Sequence, residues 1–374
     1  MSLLHLPPET LIQVFNEIRS GFFHEDLGRL TVCKQWFEFA LPTYLKCITL
    51  DQNTLRNFIT SSGVTTKKRP SLFQNNLETL HLELRGDRLG ITAPKHTQES
   101  NALVALTGPN ETPPGNNPTE ISITTSLNKD LDQLASIITQ KSHRLHTLRM
   151  RAWGFPRPKP FDNAAEDYLL PPTIQTLLSV GNLRVLVLDL SSGFLNSSSA
   201  KHGQHNHHIC PAIGALLCTL RTLHLRLCSI CPDVLKPQED ADMRFLPLKE
   251  VVINLSLMEK QLPGIITSAA HSKRCSPPQG GGGGGGGGLL QLKADLYGQA
   301  EALGTQMVSA PKVMRILTHS LPRFETCSLD VLSGKTVILE DGSAWDEDGK
   351  AVEEEGSEIE SEITSADDVS LQDE

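Results

Sequence analysis

Aromatic residues make up only 5% of this 374-residue chain, and Lys67-Lys68-Arg69 is its only basic triplet. A nucleic-acid-binding domain concentrates Lys and Arg on one face and interleaves aromatics for base stacking, so no nucleic acid is expected as a partner. No run of about 18 apolar residues occurs, so no membrane span is expected. The opening MSLLHLPPET has neither a basic n-region nor an apolar h-region, so no signal peptide is expected either. An intracellular chain, in cytoplasm and/or nucleus, fits these absences. The eight cysteines (33, 47, 210, 218, 228, 231, 275 and 327) fall short of disulfide-scaffold density, and in a reducing compartment they stay thiols. Catalytic signatures are missing too. There is no G-x-S-x-G, H-E-x-x-H, GxxxxGK[ST] or kinase set, and no G-x-G-x-x-G ahead of a helix. No catalytic residue can be named, and the chain is expected not to be an enzyme.

What is present is an uneven charge and a segmented chain. Fifteen of the 43 acidic residues lie in 340–374 against the single Lys350, and a segment so polar cannot bury enough surface to fold. A disordered acidic tail is expected there. Clusters rich in Gly, Pro, Ser and Asn at 107–118, 153–163, 196–208 and 272–288 mark insertions. The last contains nine consecutive glycines, 280–288, which gain too little on ordering to offset backbone entropy and lack the Lys-Ser/Thr of a phosphate loop.

Between these insertions an L-x-x-L-x-L-x-L pattern recurs. Its copies are Leu77-Leu80-Leu82-Leu84, Leu145-Leu148-Met150-Ala152, Leu183-Leu186-Leu188-Leu190, Leu220-Leu223-Leu225-Leu227 and Leu248-Val251-Ile253-Leu255, with a degenerate sixth at Phe324-Cys327-Leu329-Val331. Alternate residues of a strand face one side, so each copy offers an apolar stripe with polar residues such as His81, Glu83, Arg149 and Arg226 opposite. Helix-like segments at Leu131–Gln140, Thr173–Val180, Ile213–Cys218 and Val313–His319 are interspersed. Repeated helix and strand in order predict an α/β fold with a parallel sheet faced by helices. Leu220–Ile230 also resembles a full leucine-rich repeat, L-x-x-L-x-L-x-x-C-x-I. One repeat holds too few leucines, each worth about 1.5–3 kcal/mol when buried, to stand alone, so such repeats stack. An irregular leucine-rich-repeat-like region is expected over 51–335.

The first fifty residues carry the densest signal. Leu11, Val14, Phe15 and Ile18 form a helical stripe behind Pro7-Pro8. Gly21 and His24-Glu25 break that helix, Asp26 can cap the next, and Pro42 is expected to stop a third. Cys47–Leu50 alternates like a first strand. Three short helices with more apolar residues than they can bury imply a covered surface. The three-part pattern L-P-x-E-x-L (Leu6–Leu11), D-L-x-x-L (Asp26–Leu30) and V-C-K-x-W (Val32–Trp36) resembles an F-box. That resemblance implies docking on the Skp adaptor of an SCF-type cullin-RING ubiquitin ligase. Leu6, Pro7, Glu9, Leu11, Val14, Leu27, Leu30, Val32 and Trp36 stand at the adaptor-contacting positions. It departs from the pattern at Ser20–Glu25, which is longer and more aromatic than the usual link. F-box modules are often joined to substrate-binding repeats, so the implied role of 51–335 is recruitment of a client protein for ubiquitination. The alternative is an interaction scaffold without a ligase, its N-terminal helices serving as a cap.

One constellation invites a metal: His202, His205, His207, His208 and Cys210, followed by Cys228-x-x-Cys231. The spacing fits no familiar zinc knuckle, Cys228 already occupies the buried cysteine position of the repeat, and the histidines lie in a Ser/Gly/Asn-rich loop. No metal or cofactor is therefore expected. The client-facing residues cannot be identified, though exposed strand positions such as His81, Glu83, Arg149, Arg151, His224 and Arg226 are candidates.

Overall fold

A computed structural model describes residues 6–60, 75–86, 118–141, 143–154, 169–191, 208–238, 246–257, 271–275, 288–307, 309–319, 325–340, 343–345, 347 and 349–351. Helix α1 (Pro8–Ile18) begins with a proline, whose missing N–H is no loss in the first turn, and buries Leu11 and Phe15. In the following segment, longer and more aromatic than the usual link, α2 (Gly21–Glu25) forms and carries Phe23 into the interior. Asp26 then caps the 3-10 turn Leu27–Leu30, its carboxylate accepting the Gly28 N–H at 2.8 Å. Helix α3 (Lys34–Tyr44) runs through Pro42 rather than ending at it. The proline sits in the last turn, and beyond it the Leu45 N–H still reaches the Leu41 carbonyl at 3.0 Å. Leu11, Phe15, Phe23, Leu30 and Ala40 close a small core of their own. Trp36 packs edge-on against Phe15 with ring centroids 4.6 Å apart.

Strand β1 (Cys47–Asp51) leads from this module into the sheet. There follow α4 (Gln52–Thr60), β2 (Thr79–Gly86), α5 (Pro118–Lys141), β3 (Thr147–Gly154), α6 (Pro171–Leu178), β4 (Val185–Leu190), α7 (Cys210–Ala215), β5 (Thr222–Leu227), β6 (Ser229–Ile230), a 3-10 turn (Pro232–Leu235), β7 (Glu250–Asn254), β8 (Lys273–Arg274), α8 (Leu289–Gln306), β9 (Val313–His319), β10 (Thr326–Asp330), β11 (Thr336–Leu339) and β12 (Lys350–Ala351). Ten strands form one sheet in the order β1-β2-β3-β4-β5-β7-β9-β10-β11-β12, and β6 pairs with β8 in a small second sheet. The ladder is parallel from β1 to β9 and antiparallel from β9 to β12.

The leucine pattern fixes the register. Leu80, Leu148, Leu186, Leu223, Val251 and Met314 lie side by side across six strands, and Leu82, Met150, Leu188, Leu225, Ile253 and Ile316 form the next row. A one-residue slip would turn every one of these side chains to the other face. Their face packs against Leu55 of α4, Leu131 and Leu134 of α5, Ile174 and Leu177 of α6, Ile213 of α7 and Leu296 and Leu303 of α8 in one continuous core. The architecture is mixed α/β with a large, mostly parallel sheet and helices on one face. No helix among the described residues is long and apolar enough to cross a membrane.

Several expectations are corrected. Val313–His319 is strand β9, not a helix: its burial alternates before turning continuous, and it pairs with β7. The sixth pattern copy is the hairpin strand β10, antiparallel to β9. Helix α8 was not expected, although Leu289, Leu292, Leu296, Ala300 and Leu303 have helical spacing, and it follows the glycine tract directly. The tract therefore does precede a helix, but without a phosphate-loop lysine. Order extends past both 335 and 340, because β11 and β12 pair with each other. Strand β3 includes Trp153 and Gly154 of the expected 153–163 insertion, and β8 lies inside 272–288. Residues 107–117, 155–163, 196–207, 276–287 and 352–374 lie outside the described residues.

Candidate docking surfaces and a cysteine–histidine cluster

The nine F-box-pattern positions separate into buried, half-buried and exposed groups. Leu11, with no exposed surface, and Leu30, 6% exposed, are interior to the helical module and cannot contact a partner without opening it. Leu6 and Trp36 pack partly against that core, and the Trp36 indole N–H donates to the Arg29 carbonyl at 2.6 Å. Val14 is half-buried, whereas Pro7 and Glu9 are exposed. Leu27 and Val32 are exposed apolar side chains, at 56% and 59%. Two further exposed apolar side chains, Ile12 and Ile18, were not among the expected contacts. Ile12 follows Pro8 and Glu9 by four and three residues on α1, which places it on the same face.

The second surface is the sheet face turned away from the helices. Strand alternation puts His81, Arg149, Val187, His224, Val252 and Arg315 in one row, and Glu83, Arg151, Asp189 and Arg226 in another. All six expected client-facing candidates thus share one face. They are not equally available. Glu83, Arg149 and Arg151 are exposed, while burial and the nearby Arg149 hold His81 below the ordinary imidazole range. Arg226, only 9% exposed, is held by Asp189 in a bidentate pair at 2.6 Å for each bond, and Arg151 approaches the same carboxylate at 3.5 Å. His224 pairs with Glu250 at 2.7 Å. Trp345, from the start of the acidic segment, lies over the Arg226 guanidinium at 5.3 Å. It packs against the cluster of Val252, Leu317 and Leu339. Among the described residues, Trp345 thus covers part of the β5–β9 end of this face, while Glu83, Arg149 and Arg151 at its β2–β3 end are exposed.

The metal constellation is rearranged. His208, Cys210 and Cys231 come together, but their fourth neighbour is Cys275, which sequence reasoning did not connect with them. Cys228 is not in the group, and His202, His205 and His207 lie outside the described residues. The ligand atoms of the four lie within 4.8 Å of one another. Hydrogen bonding with Cys210 and Cys275 holds the Cys231 thiol far below its ordinary range, while the Cys210 thiol is pushed up, chiefly by its contact with Cys231.

Comparison of the chain with protein-family models, with curated proteins and with solved structures finds no match.

Proposed function

We propose that this chain is a substrate-recruiting F-box adaptor of an SCF-type ubiquitin ligase. Residues 6–45 dock on the Skp adaptor, and the leucine-rich sheet region holds a client protein. The observation that carries this is the combination of a closed helical core with Leu27 and Val32 left open at two pattern positions. A helical module that buries Leu11, Phe15 and Phe23 still exposes Ile12, Ile18, Leu27 and Val32, four of the seven large exposed apolar side chains among the described residues, which supports a surface that a partner covers. The parallel ladder of in-register leucines supports a leucine-rich-repeat-like solenoid, and the β2–β3 end of its sheet face, with His81 and the exposed Glu83, Arg149 and Arg151, is its client face. The chain supplies proximity: it holds a client lysine near a charged conjugating enzyme carried by other subunits. No acid, base or nucleophile is required of it.

The test is a pull-down of the purified full chain with the Skp adaptor, with and without cullin, alongside Leu27→Asp/Val32→Asp. Both sites are exposed, so the variant keeps its fold. Capture by the intact chain and loss in the variant are expected, and failure of the intact chain to bind overturns the proposal.

The scaffold reading draws on a separate observation, that the helical module is seated on the sheet's first strand. The His24 ring bonds the Cys47 carbonyl, and Lys46 donates to Asn16 at 2.8 Å. A cap would be attached in this way, and a solenoid needs its first strand's end protected. Under that reading the adaptor does not bind and the client face persists.

A further inference from the structure

We infer that His208, Cys210, Cys231 and Cys275 form a structural zinc site. Three thiolates and an imidazole are the donor set of a closed tetrahedral zinc site, and soft sulfur donors select against magnesium or calcium. Zinc–sulfur bonds of about 2.3 Å and zinc–nitrogen bonds of about 2.0–2.1 Å at tetrahedral angles require ligand atoms about 3.8 Å apart for sulfur pairs and about 3.6 Å for sulfur and nitrogen. Cys210 Sγ and Cys275 Sγ are 3.6 Å apart, and Cys231 Sγ and His208 Nδ1 are 3.7 Å apart. The full set lies within 4.8 Å, with Cys210 and Cys231 buried and the other two partly so.

The surrounding fold delivers these groups to one point. Strands β6 and β8 pair in parallel, Ser229 with Lys273 and Ile230 with Arg274. Cys231 and Cys275 are the next residue on each strand, and the Cys275 N–H continues the ladder to the Ile230 carbonyl at 3.3 Å. Cys210 opens α7, which lies tight against the 3-10 turn that follows Cys231. A Cβ on Gly214 would clash with the carbonyl oxygens of Lys236 and Asp233. With Nδ1 turned to the sulfurs, Nε2 lies on the side of the Asp233 carboxylate, 3.9 Å away and beyond a direct hydrogen bond.

The elements involved are a six-residue helix, a four-residue 3-10 turn and two two-residue strands, which set Ile213, Ile230, Val234 and Leu235 into the continuous core beside the cluster. Four protein ligands leave no open position, so the site is structural rather than catalytic. It would fasten 271–275 and the start of α7 to the end of β5, independently of whether the helical module binds an adaptor.

Elemental analysis of the full chain purified without added chelator tests this. One zinc per chain is expected, with loss of zinc from Cys231→Ser and retention in Cys218→Ser, whose thiol is exposed and outside the cluster. Because a ligand variant can misfold, cobalt(II) is also titrated into the chelator-stripped wild-type chain. Thiolate charge-transfer and tetrahedral d–d bands are expected, abolished by one equivalent of zinc. A metal-free chain with free thiols, a Cys210–Cys275 disulfide found by peptide mapping, an octahedral cobalt spectrum, or full zinc retention by Cys231→Ser would each overturn the assignment.

Discussion

Replacing Asp189 by alanine removes the anion from the middle of the sheet face turned away from the helices. Arg226 and Asp189 are each 9% exposed and share two 2.6 Å bonds. Losing one partner of such a pair strands the other charge, at a cost of about 3–5 kcal/mol. Here Arg151 also leans on Asp189, at 3.5 Å, so Asp189→Ala removes the carboxylate that both guanidinium groups share. The residual exposure of the carboxylate points to the lower end, about 3 kcal/mol. Arg226→Met differs, because Asp189 keeps Arg151; about 1–2 kcal/mol is expected. The double replacement Asp189→Leu/Arg226→Met removes both buried charges and is expected within about 1 kcal/mol of wild type. Urea unfolding of these variants together with Asp189→Leu alone, read as midpoint shifts at constant slope, closes the cycle and gives the coupling energy. Equal losses in the two single variants would show that Arg151 takes no part. An Asp189→Ala loss under about 1 kcal/mol would refute the buried-pair reasoning altogether.

Burial holds His319 down to about 4, with the His271 ring stacked on it at 3.8 Å. The unfolded chain takes up its proton near pH 6.5 and the folded chain near 4, so stability is full above 6.5 and declines by roughly 2–3 kcal/mol as pH falls to 4, with nothing further lost below. His319→Gln should flatten that slope in pH-dependent melts, and an unchanged slope would contradict it. Gly214→Ala forces α7 off the 3-10 turn at Pro232–Leu235 and should cost about 1–3 kcal/mol in thermal unfolding, whereas a neutral alanine would contradict the close approach. Trp345→Ala uncovers Val252, Leu317 and Leu339; about 1–2 kcal/mol of stability should be lost in denaturant titration, and an unchanged midpoint would mean the ring does not seal that patch.

The parallel sheet was legible because its signal is local. Each L-x-x-L-x-L-x-L copy states which residues share a face, and the observed register joins them without a slip. The same alternation marked His81, Arg149 and Arg226 as residents of the other face, but not that Arg226 is tied up by Asp189 and Trp345, because those contacts cross strands and a long stretch of sequence. Beyond β7 the pattern misled. Val313–His319 has the composition of either a buried helix or a strand, and only its pairing with β7 decides. Leu11 and Leu30 illustrate a different limit: a motif position says that a residue is apolar, while its burial depends on how α1 and α3 close over it. Cys275, the fourth member of the cysteine–histidine cluster, was missed for a topological reason. Cys231 and Cys275 are 44 positions apart in sequence, and the β6–β8 pairing that joins them is two residues long on each side. Spacing arguments built on Cys228-x-x-Cys231 selected the wrong first cysteine.

The most direct test of the proposed role is a binding titration of the purified full chain with the Skp adaptor, comparing wild type, Leu27→Asp/Val32→Asp and the sheet-face control Arg149→Asp. Burying two such side chains in an interface is worth about 3–5 kcal/mol, or roughly 10²–10⁴ in affinity. Saturable binding by the wild type, a loss of at least about 100-fold in the double variant and no change in the control are predicted. Absence of binding by the wild-type chain, or equal binding by the double variant, would contradict the account.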